Sequence, residues 1–457
     1  MKTLVSNELY ISNPTPYALA IIKSREVDNP EYKSKIRMGK WIGNTPKKIR
    51  LWRQDGDTYI IPFGCLDNLA SEIVSHKYDT DFAENLPNTM HGSIELYDYQ
   101  KEAVDRLQRC RNGILIAPAG SGKTQMALAL IQRIGKKTLW LTHTKDLLNQ
   151  SKLRAERYFT GDFGTITEGA VHIGRDITFA TVQTLAKQDI TRFKYSFDCV
   201  IVDECHRIAA TAGSVGMFEK VLNAMAARYK YGITATLHRA DGLQDCIPWM
   251  LGGVAHEVPK SAVADKIMPV SVTRVDTGTP ESFVYLGTDG MMDYSKLIAY
   301  LCENDRRNKV ISGYLNINSG HSNLILSDRL EHLETLMSMV EHQELCCMVS
   351  GRMTSKAGKA EREQAIKDMQ SGKKKYLFAT FGLAKEGLDI PCLDRLYLTV
   401  PKKDYSVVVQ SLGRIARTSP EKSIPICYDF VDDIPYCISQ KKKRNTIYKK
   451  LGYQFER

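Results

Sequence analysis

None of the eleven cysteines is spaced as a C-x-x-C pair, and only Cys346 and Cys347 are adjacent. That spacing argues against a cysteine zinc site or a disulfide framework and suits a reducing compartment. No apolar run reaches the roughly 18 residues that a membrane-spanning helix requires. The N-terminal stretch MKTLVSNELYISN lacks the apolar core of a secretory signal. The expectation is a cytoplasmic protein, nuclear in a eukaryote, without a membrane partner. Acidic residues are in deficit: 63 Lys and Arg face 52 Asp and Glu, a net charge of +11. An excess of that sign favours a polyanionic partner.

The chain has 457 residues, enough for about three domains of ~150 residues each. Residues 1–90 read as a small β-rich accessory domain, with candidate strands at Glu8–Ile11, Tyr17–Ile22, Lys48–Arg53 and Thr58–Pro62. Between the last two lies Gln54-Asp55-Gly56-Asp57, whose Asp-Gly step signals a hairpin. Charge is split here: residues 1–54 carry +7 and residues 55–95 carry −7. The basic part, Lys33 to Arg53, has Trp41 and Trp52 interleaved. Cations with aromatics suit a phosphate backbone with exposed bases, and equally a solvated strand face over core tryptophans.

From 91 to 257 short apolar runs alternate with helical periodicity: Gly113–Ala117, Thr138–Thr142, Ile177–Ala180, Cys199–Val202 and Tyr231–Ala235. That pattern predicts a parallel sheet covered on both faces. Turn residues between 258 and 300 (Pro259, Pro269, Gly278, Pro280, Gly287, Gly290) mark a linker or small insertion. Alternation resumes over about 301–440, in a second domain taken as 301–457, with strand candidates Asn323–Leu326, Cys346–Val349, Tyr376–Thr380, Leu396–Val400 and Ile426–Phe430. The fold class expected is α/β, two parallel-sheet domains in tandem behind the β-rich N-terminal module.

Two motifs carry chemistry in the first sheet. Ala117 to Thr124 reads APAGSGKT between a strand and a helix, with Ala where the general phosphate-loop pattern has its first Gly. Gly120 and Gly122 let backbone amides from Ala119 to Thr124, Ser121 included, face an anion at a helix N-terminus. Lys123 can reach the outer phosphates and the Thr124 hydroxyl can ligate magnesium. FDCVIVDECH, Phe197 to His206, ends a buried strand in two acids. Asp203 suits the magnesium, directly or through water, and Glu204 suits a general base toward the attacking water. Upstream, Tyr99 and Gln100 suit an adenine, by stacking and by an amide that both donates and accepts. Thr234-Ala235-Thr236 closes the fifth strand.

Taken in order, Tyr99-Gln100, APAGSGKT, DECH, TAT and QSLGRIAR (Gln410 to Arg417) resemble the superfamily 2 helicases and translocases. The resemblance covers about 91–440. It implies two RecA-like domains with ATP and Mg2+ between them, and Gln410, Arg414 and Arg417 facing the nucleotide from the second. Arginines so placed would stabilise charge on the transferred phosphoryl group. In TFGLAKEGLDIP, Gly387 and Asp389 would lie near ATP and Thr380 near a nucleic-acid phosphate. Thr142, Thr181 and Gln183 match strand-tracking positions of the family, as do Ser327 and Asp328. GITAT, followed by Arg239, Asp241 and Gly242, looks like the XPB and phage UvsW-like branch, which acts on duplex or branched DNA. The arginine often preceding Tyr-Gln is Tyr97 here.

The expectation is therefore an ATP-dependent DNA helicase or translocase, a monomer, unwinding or branch-migrating DNA in replication, recombination or repair. An RNA helicase and an ATP-gated binding switch without strand separation are the alternatives.

Overall fold

The computed structural model describes residues 1–456 apart from 73–74, 80–86, 119, 209–215, 240, 283, 288–291, 352, 354, 387, 389, 403 and 421. Ala119, Gly387 and Asp389 thus lie outside the described residues. The chain divides into two compact units, Met1–Ala262 and Val263–Arg457.

The first unit is built on an eight-stranded sheet. Across it run Val171–His172, Phe163–Ile166, Ile177–Thr181, Thr138–Thr142, Cys199–Asp203, Tyr229–Thr234, Asn112–Ile116 and Val254–Glu257. All its pairings are parallel except that of the edge strand Val171–His172. Three of the central strands, Thr138–Thr142, Ile177–Thr181 and Cys199–Asp203, are buried at every residue. That explains why they read as unbroken apolar runs rather than alternating ones. The sheet order turns the carboxyl ends of Asn112–Ile116, Tyr229–Thr234 and Cys199–Asp203 side by side, and these ends carry the motifs.

The N-terminal residues add a second sheet, ordered Arg53–Asp55, Thr58–Pro62, Glu8–Ser12, Lys2–Val5, Ser75–Tyr78. The 54–57 hairpin forms, with Gly56 at φ 54°. One candidate strand is a helix instead. Tyr17–Ile22 lies within the helix Pro16–Lys23, because Thr15 accepts from the Ala18 amide at 3.1 Å and Pro16 pre-sets the first turn.

This module is packed into the first unit. Ideal Cβ geometry on Gly64 would fall 2.3 Å from the Gly252 nitrogen, so only glycine lets the Phe63–Cys65 turn meet the helix Cys246–Leu251. Lys230, fully buried on a core strand, donates to the Asn7 and Leu222 carbonyls at 2.9 Å each and sits 4.7 Å over the Phe63 ring.

The second unit is a seven-stranded parallel sheet: Cys346–Val349, Tyr376–Thr380, Asn323–Ser327, Arg395–Leu398, Ile426–Val431, Ser271–Asp276, Gln454–Glu456. Here the 258–300 stretch differs from a linker. Ser271–Asp276 pairs along its whole length with Ile426–Val431, and Tyr294–Glu303 is a helix capped by Asp293. The flanking Pro269 and Gly278 bound the strand rather than break it. Near the C-terminus the helix Pro435–Leu451 carries Lys441, Lys442, Lys443, Lys449 and Lys450, and its Arg444 turns inward onto Asp429 at 2.7 Å. No helix among the described residues is long and apolar enough to cross a membrane.

A buried ion pair fixes this unit. Arg307 donates to Asp432 at 2.6 Å and to the Thr399 carbonyl at 2.6 Å, with both charged side chains almost wholly buried. Removing one partner leaves the other charge buried alone. Arg307→Met is expected to cost about 3 to 5 kcal/mol, read as a lower midpoint in urea denaturation; an unchanged midpoint would show that the pair does not hold the unit.

Candidate active site

The phosphate loop lies at the end of Asn112–Ile116. Its first residue, Ala117, is buried, and its amide donates to the Thr234 carbonyl at 2.9 Å, which pins the loop to the TAT strand end. Gly120 and Gly122 have φ of 84° and 83°, a region that side chains resist. Gly122 has a second reason to be glycine: a Cβ there would lie 2.4 Å from the Gln100 amide nitrogen. The helix Lys123–Ile134 starts at Gly122, so its free amides open at the loop. Ser121 is buried with no hydrogen-bond partner for its hydroxyl, and Lys123 Nζ folds back on the Ala117 carbonyl at 3.4 Å.

Gln100 is turned on the loop rather than outward. Its amide donates to the Ser121 carbonyl at 2.8 Å and accepts from the Tyr97 amide at 3.0 Å. Tyr99 donates to the same Ser121 carbonyl at 3.0 Å. The Tyr97 and Tyr99 rings stack, 5.9 Å apart and 11° from parallel. The pair therefore senses the loop's backbone as much as it offers a surface for an adenine.

Asp203 and Glu204 end the strand Cys199–Asp203. Glu204 has φ 51°, one of two non-glycine residues in the left-handed region among the described residues. Such a conformation costs on the order of 1 kcal/mol and persists only where surroundings enforce it. Burial, then the charge of Glu204, pushes the Asp203 carboxyl up from its ordinary range. Glu204 goes the other way. Burial opposes its charge, but the bond to His206 and the charge of Lys123 outweigh it and hold the carboxyl low. Glu204 is thus the more readily ionised member of the pair, and a cation bound at Asp203 would lower that carboxyl in turn.

A polar chain leads from these acids to the next strand. His206 Nδ1 lies 3.2 Å from Glu204 Oε2 and 3.0 Å from the Thr234 hydroxyl, which donates to the Thr236 carbonyl at 2.8 Å. Arg239 donates to the His206 carbonyl and, at 2.9 Å, to Asp241. His206 was legible only as a letter of DECH; its role as the link was not.

Two residues of the helix Lys145–Tyr158 also reach the site without a sequence signal. Arg154 donates to the Thr124 hydroxyl at 3.2 Å, and Ser151 contacts Asp203 at 3.4 Å. They are three apart on one helix face, but their partners are 30 and 52 residues away in sequence.

The loop's open amides, the orphaned Ser121 hydroxyl, Lys123, Thr124 and Asp203 form a donor set that fits a nucleoside triphosphate with a hard divalent cation.

Thr142 and Thr181 end adjacent paired strands; Thr142 donates to the Thr144 carbonyl at 3.0 Å and Thr181 caps the following helix. Gln183 donates to the His143 carbonyl at 2.9 Å. In the second unit, Ser327 and Thr380 are directly paired at adjacent strand ends. Ser327 is fully buried against His332 at 2.9 Å, so its hydroxyl orders the turn instead of facing out. Asp328 pairs with Lys402 at 2.5 Å. Gln410 and Arg414 lie one turn apart on the helix Tyr405–Ile415, where Arg414 donates to the Leu388 carbonyl at 3.0 Å. Arg417 follows the helix and forms an isolated bridge with Ile267.

Residues 93–239 match the family described as the type III restriction enzyme res subunit, and residues 306–419 match the helicase conserved C-terminal domain; together they span more than half of the chain. Three curated relatives are similar. A protein of Acanthamoeba polyphaga mimivirus, named as an ATP-dependent RNA helicase, is 28% identical over 76% of this chain and 65% of its own length. The DNA 3'-5' translocase XPB2 of Sulfurisphaera tokodaii is 24% identical over 77% of this chain and 85% of its own. The ATP-dependent DNA helicase uvsW of Enterobacteria phage T4 is 22% identical over 92% and 88%. Among solved structures, the Mycobacterium smegmatis helicase Lhr, bound to ssDNA and AMP-PNP, shares the fold with TM-score 0.53 at 18% identity, over 77% of this chain and 48% of that one.

The site makes separable demands on single residues. Lys123→Ala should abolish ATP turnover while leaving the circular dichroism spectrum intact. Glu204→Gln should retain ATP binding by equilibrium dialysis and stop hydrolysis. Normal turnover by either variant in a coupled ATPase assay would refute these assignments.

Proposed function

From a chain that belongs to the superfamily 2 helicases of the UvsW and XPB type, and is an ATP-dependent helicase, we propose a motor that moves on DNA and separates or branch-migrates its strands. The observation that carries the reading is the position of His206, whose Nδ1 bonds the Thr234 hydroxyl at 3.0 Å and lies 3.2 Å from Glu204 Oε2, beside the strand end that also anchors the phosphate loop. Such a linkage lets the state of the nucleotide be felt along the sheet edge, as a motor requires.

In this reading Gly120, Ser121, Gly122 and Lys123 hold the phosphates, and Thr124 and Asp203 hold Mg2+. The ion supplies neutralisation of charge on the phosphoryl oxygens. Glu204 orients water and takes its proton. Lys123 swings from the Ala117 carbonyl, and Arg154 yields the Thr124 hydroxyl. The family resemblance would give Gln410, Arg414 and Arg417 a part in charge stabilisation and Gly387 and Asp389 a part in nucleotide contact. Residues 91–257 form the ATP-binding domain and 301–457 its partner, with 1–90 an accessory nucleic-acid module. Thr142, Thr181, Gln183 and Thr380 mark where a strand runs, and Ser327 shapes that path through the turn it orders.

The net charge of +11 favours a nucleic acid of either kind, and the names of the relatives XPB2, a DNA translocase, and uvsW, a DNA helicase, favour DNA. The mimivirus relative's name supports RNA instead, and the experiment separates the two. Strand displacement is measured on forked DNA and on the RNA fork of the same sequence, with ATPase in parallel. ATP-driven displacement of the DNA fork is expected; displacement of RNA alone would replace DNA by RNA. ATP hydrolysis with no displacement of either, and without stimulation by four-way junctions, would leave a binding switch. Arg417→Ala should lower turnover by about 10³-fold, the scale of arginine-finger effects; an unchanged kcat would remove Arg417 from the site.

A further inference from the structure

Between the buried residues Asn29 and Ile49, no residue from 30 to 48 is buried. The segment is nevertheless well built. Asn29 closes its neck, its amide bonding the Lys47 carbonyl at 3.0 Å and its side chain the Pro46 carbonyl at 2.7 Å. Asn29 also caps the helix Pro30–Arg37, and the Lys40 amide ties the next loop back to the Lys35 carbonyl at 2.9 Å. An ordered excursion that adds nothing to a core has a cost in conformational entropy that core packing does not repay.

At its tip stands Trp41, 88% exposed, with Ile36 and Met38 exposed on the approach. The indole is not loose. A Cβ on Gly43 would lie 2.8 Å from Trp41 Cζ3 and 3.1 Å from Cη2, so the benzene ring rests against the bare Gly43 backbone. Gly39 and Gly43 both adopt left-handed backbone, φ 61° and 54°, and so shape the loop that folds the ring down. One side of the indole is seated and the rest is open. Charge surrounds it: residues 29–50 hold seven Lys and Arg against one acid, Glu31. Among the described residues Lys33, Lys35 and Lys48 have acidic partners, while no ion pair engages Arg37, Lys40 or Lys47.

We propose that Trp41 is a stacking platform for an unpaired nucleobase, with Arg37, Lys40 and Lys47 on the flanking phosphates, so that the excursion 30–48 grips the single strand of a fork or tail. A pre-seated aromatic ring stacks on any base without sequence preference, and cations beside it follow the backbone. An apolar protein partner would not account for the one-sided charge. This assignment rests on the nucleic-acid reading of the preceding section and specifies where an unpaired base is held.

The test is binding of the full chain, by fluorescence anisotropy, to tailed DNA, to the same DNA with an abasic tail, and to blunt duplex, over a salt series. Trp41→Ala should weaken the tailed substrate about 10-fold and leave the blunt duplex and the salt slope unchanged. Trp41→Phe should retain most of the affinity. Gly43→Ala, which displaces the ring, should behave as Trp41→Ala. Abasic tails should bind wild type only as well as normal tails bind Trp41→Ala. Lys47→Gln should weaken the tailed substrate and reduce its salt slope by about 0.7, the single-strand value per phosphate contact, while leaving blunt duplex nearly unchanged. The proposal is overturned if Trp41→Ala binds tailed DNA like wild type, if it loses the same factor on blunt duplex, or if abasic tails bind wild type fully. Strand displacement by wild type on the same fork keeps the two readings apart. Displacement with an indifferent Trp41 sinks the platform alone, whereas wild type that neither binds nor displaces DNA sinks the motor on DNA.

Discussion

Two carboxylates placed side by side in a buried strand end repel each other, and most of the first unit's site is arranged around that repulsion. Asp203 and Glu204 could not both ionise there without help. The left-handed turn at Glu204 throws the two side chains onto different neighbours, and His206 takes up Glu204 while Ser151 contacts Asp203. The result is an asymmetric pair: Glu204 is held charged, while burial and the Glu204 charge raise Asp203, which a bound divalent cation would draw down again. The phosphate loop supplies the complementary positive field from Lys123 and from the helix it opens. Neither half would keep its geometry alone: the loop hangs on the Thr234 carbonyl, and Thr234 is also the far end of the His206 link.

The same logic explains why the strand Tyr229–Thr234 is so firmly embedded. It lies between Cys199–Asp203 and Asn112–Ile116 in the sheet, in register with both motif-bearing strands. Lys230 then ties it to the N-terminal sheet through Asn7. A buried ammonium held by two carbonyls and an aromatic face is a demanding contact, because losing it strands both acceptors. The accessory module is therefore bolted to the strand that joins acids and loop, and is not a domain that could be cut away without exposing Trp249, Phe63 and their neighbours.

The sequence disclosed the parts whose signal is local. Buried parallel strands announce themselves as apolar runs, and the loop and acid motifs are contiguous, so their positions were legible from composition and spacing. Three kinds of feature were not. The helix Pro16–Lys23 was hidden because eight residues with β-branched Ile21 and Ile22 look like a strand until Thr15 and Pro16 are seen as a cap. The strand Ser271–Asp276 was hidden by flanking turn residues, since its support comes from Ile426–Val431, 155 residues on. Arg154 was hidden because a lone arginine on a helix gives no sign of which distant hydroxyl it meets. In each case the missing information was long-range, which a period or a motif does not encode.

Trp41 shows the converse. Its chemistry was visible in the sequence, as an aromatic among cations, but so was that of Trp52, and composition gave them the same weight. Burial separates them. Trp52 packs partly into the N-terminal core beneath Arg50, whereas Trp41 is seated on Gly43 and open. The decisive residue is the glycine. With any side chain at 43 the ring would be lifted from the backbone and would lose its fixed orientation, and a stacking surface that must first be ordered binds more weakly than one already in place. A backbone position with no side chain at all thus sets whether an exposed tryptophan is a surface accident or a prepared contact.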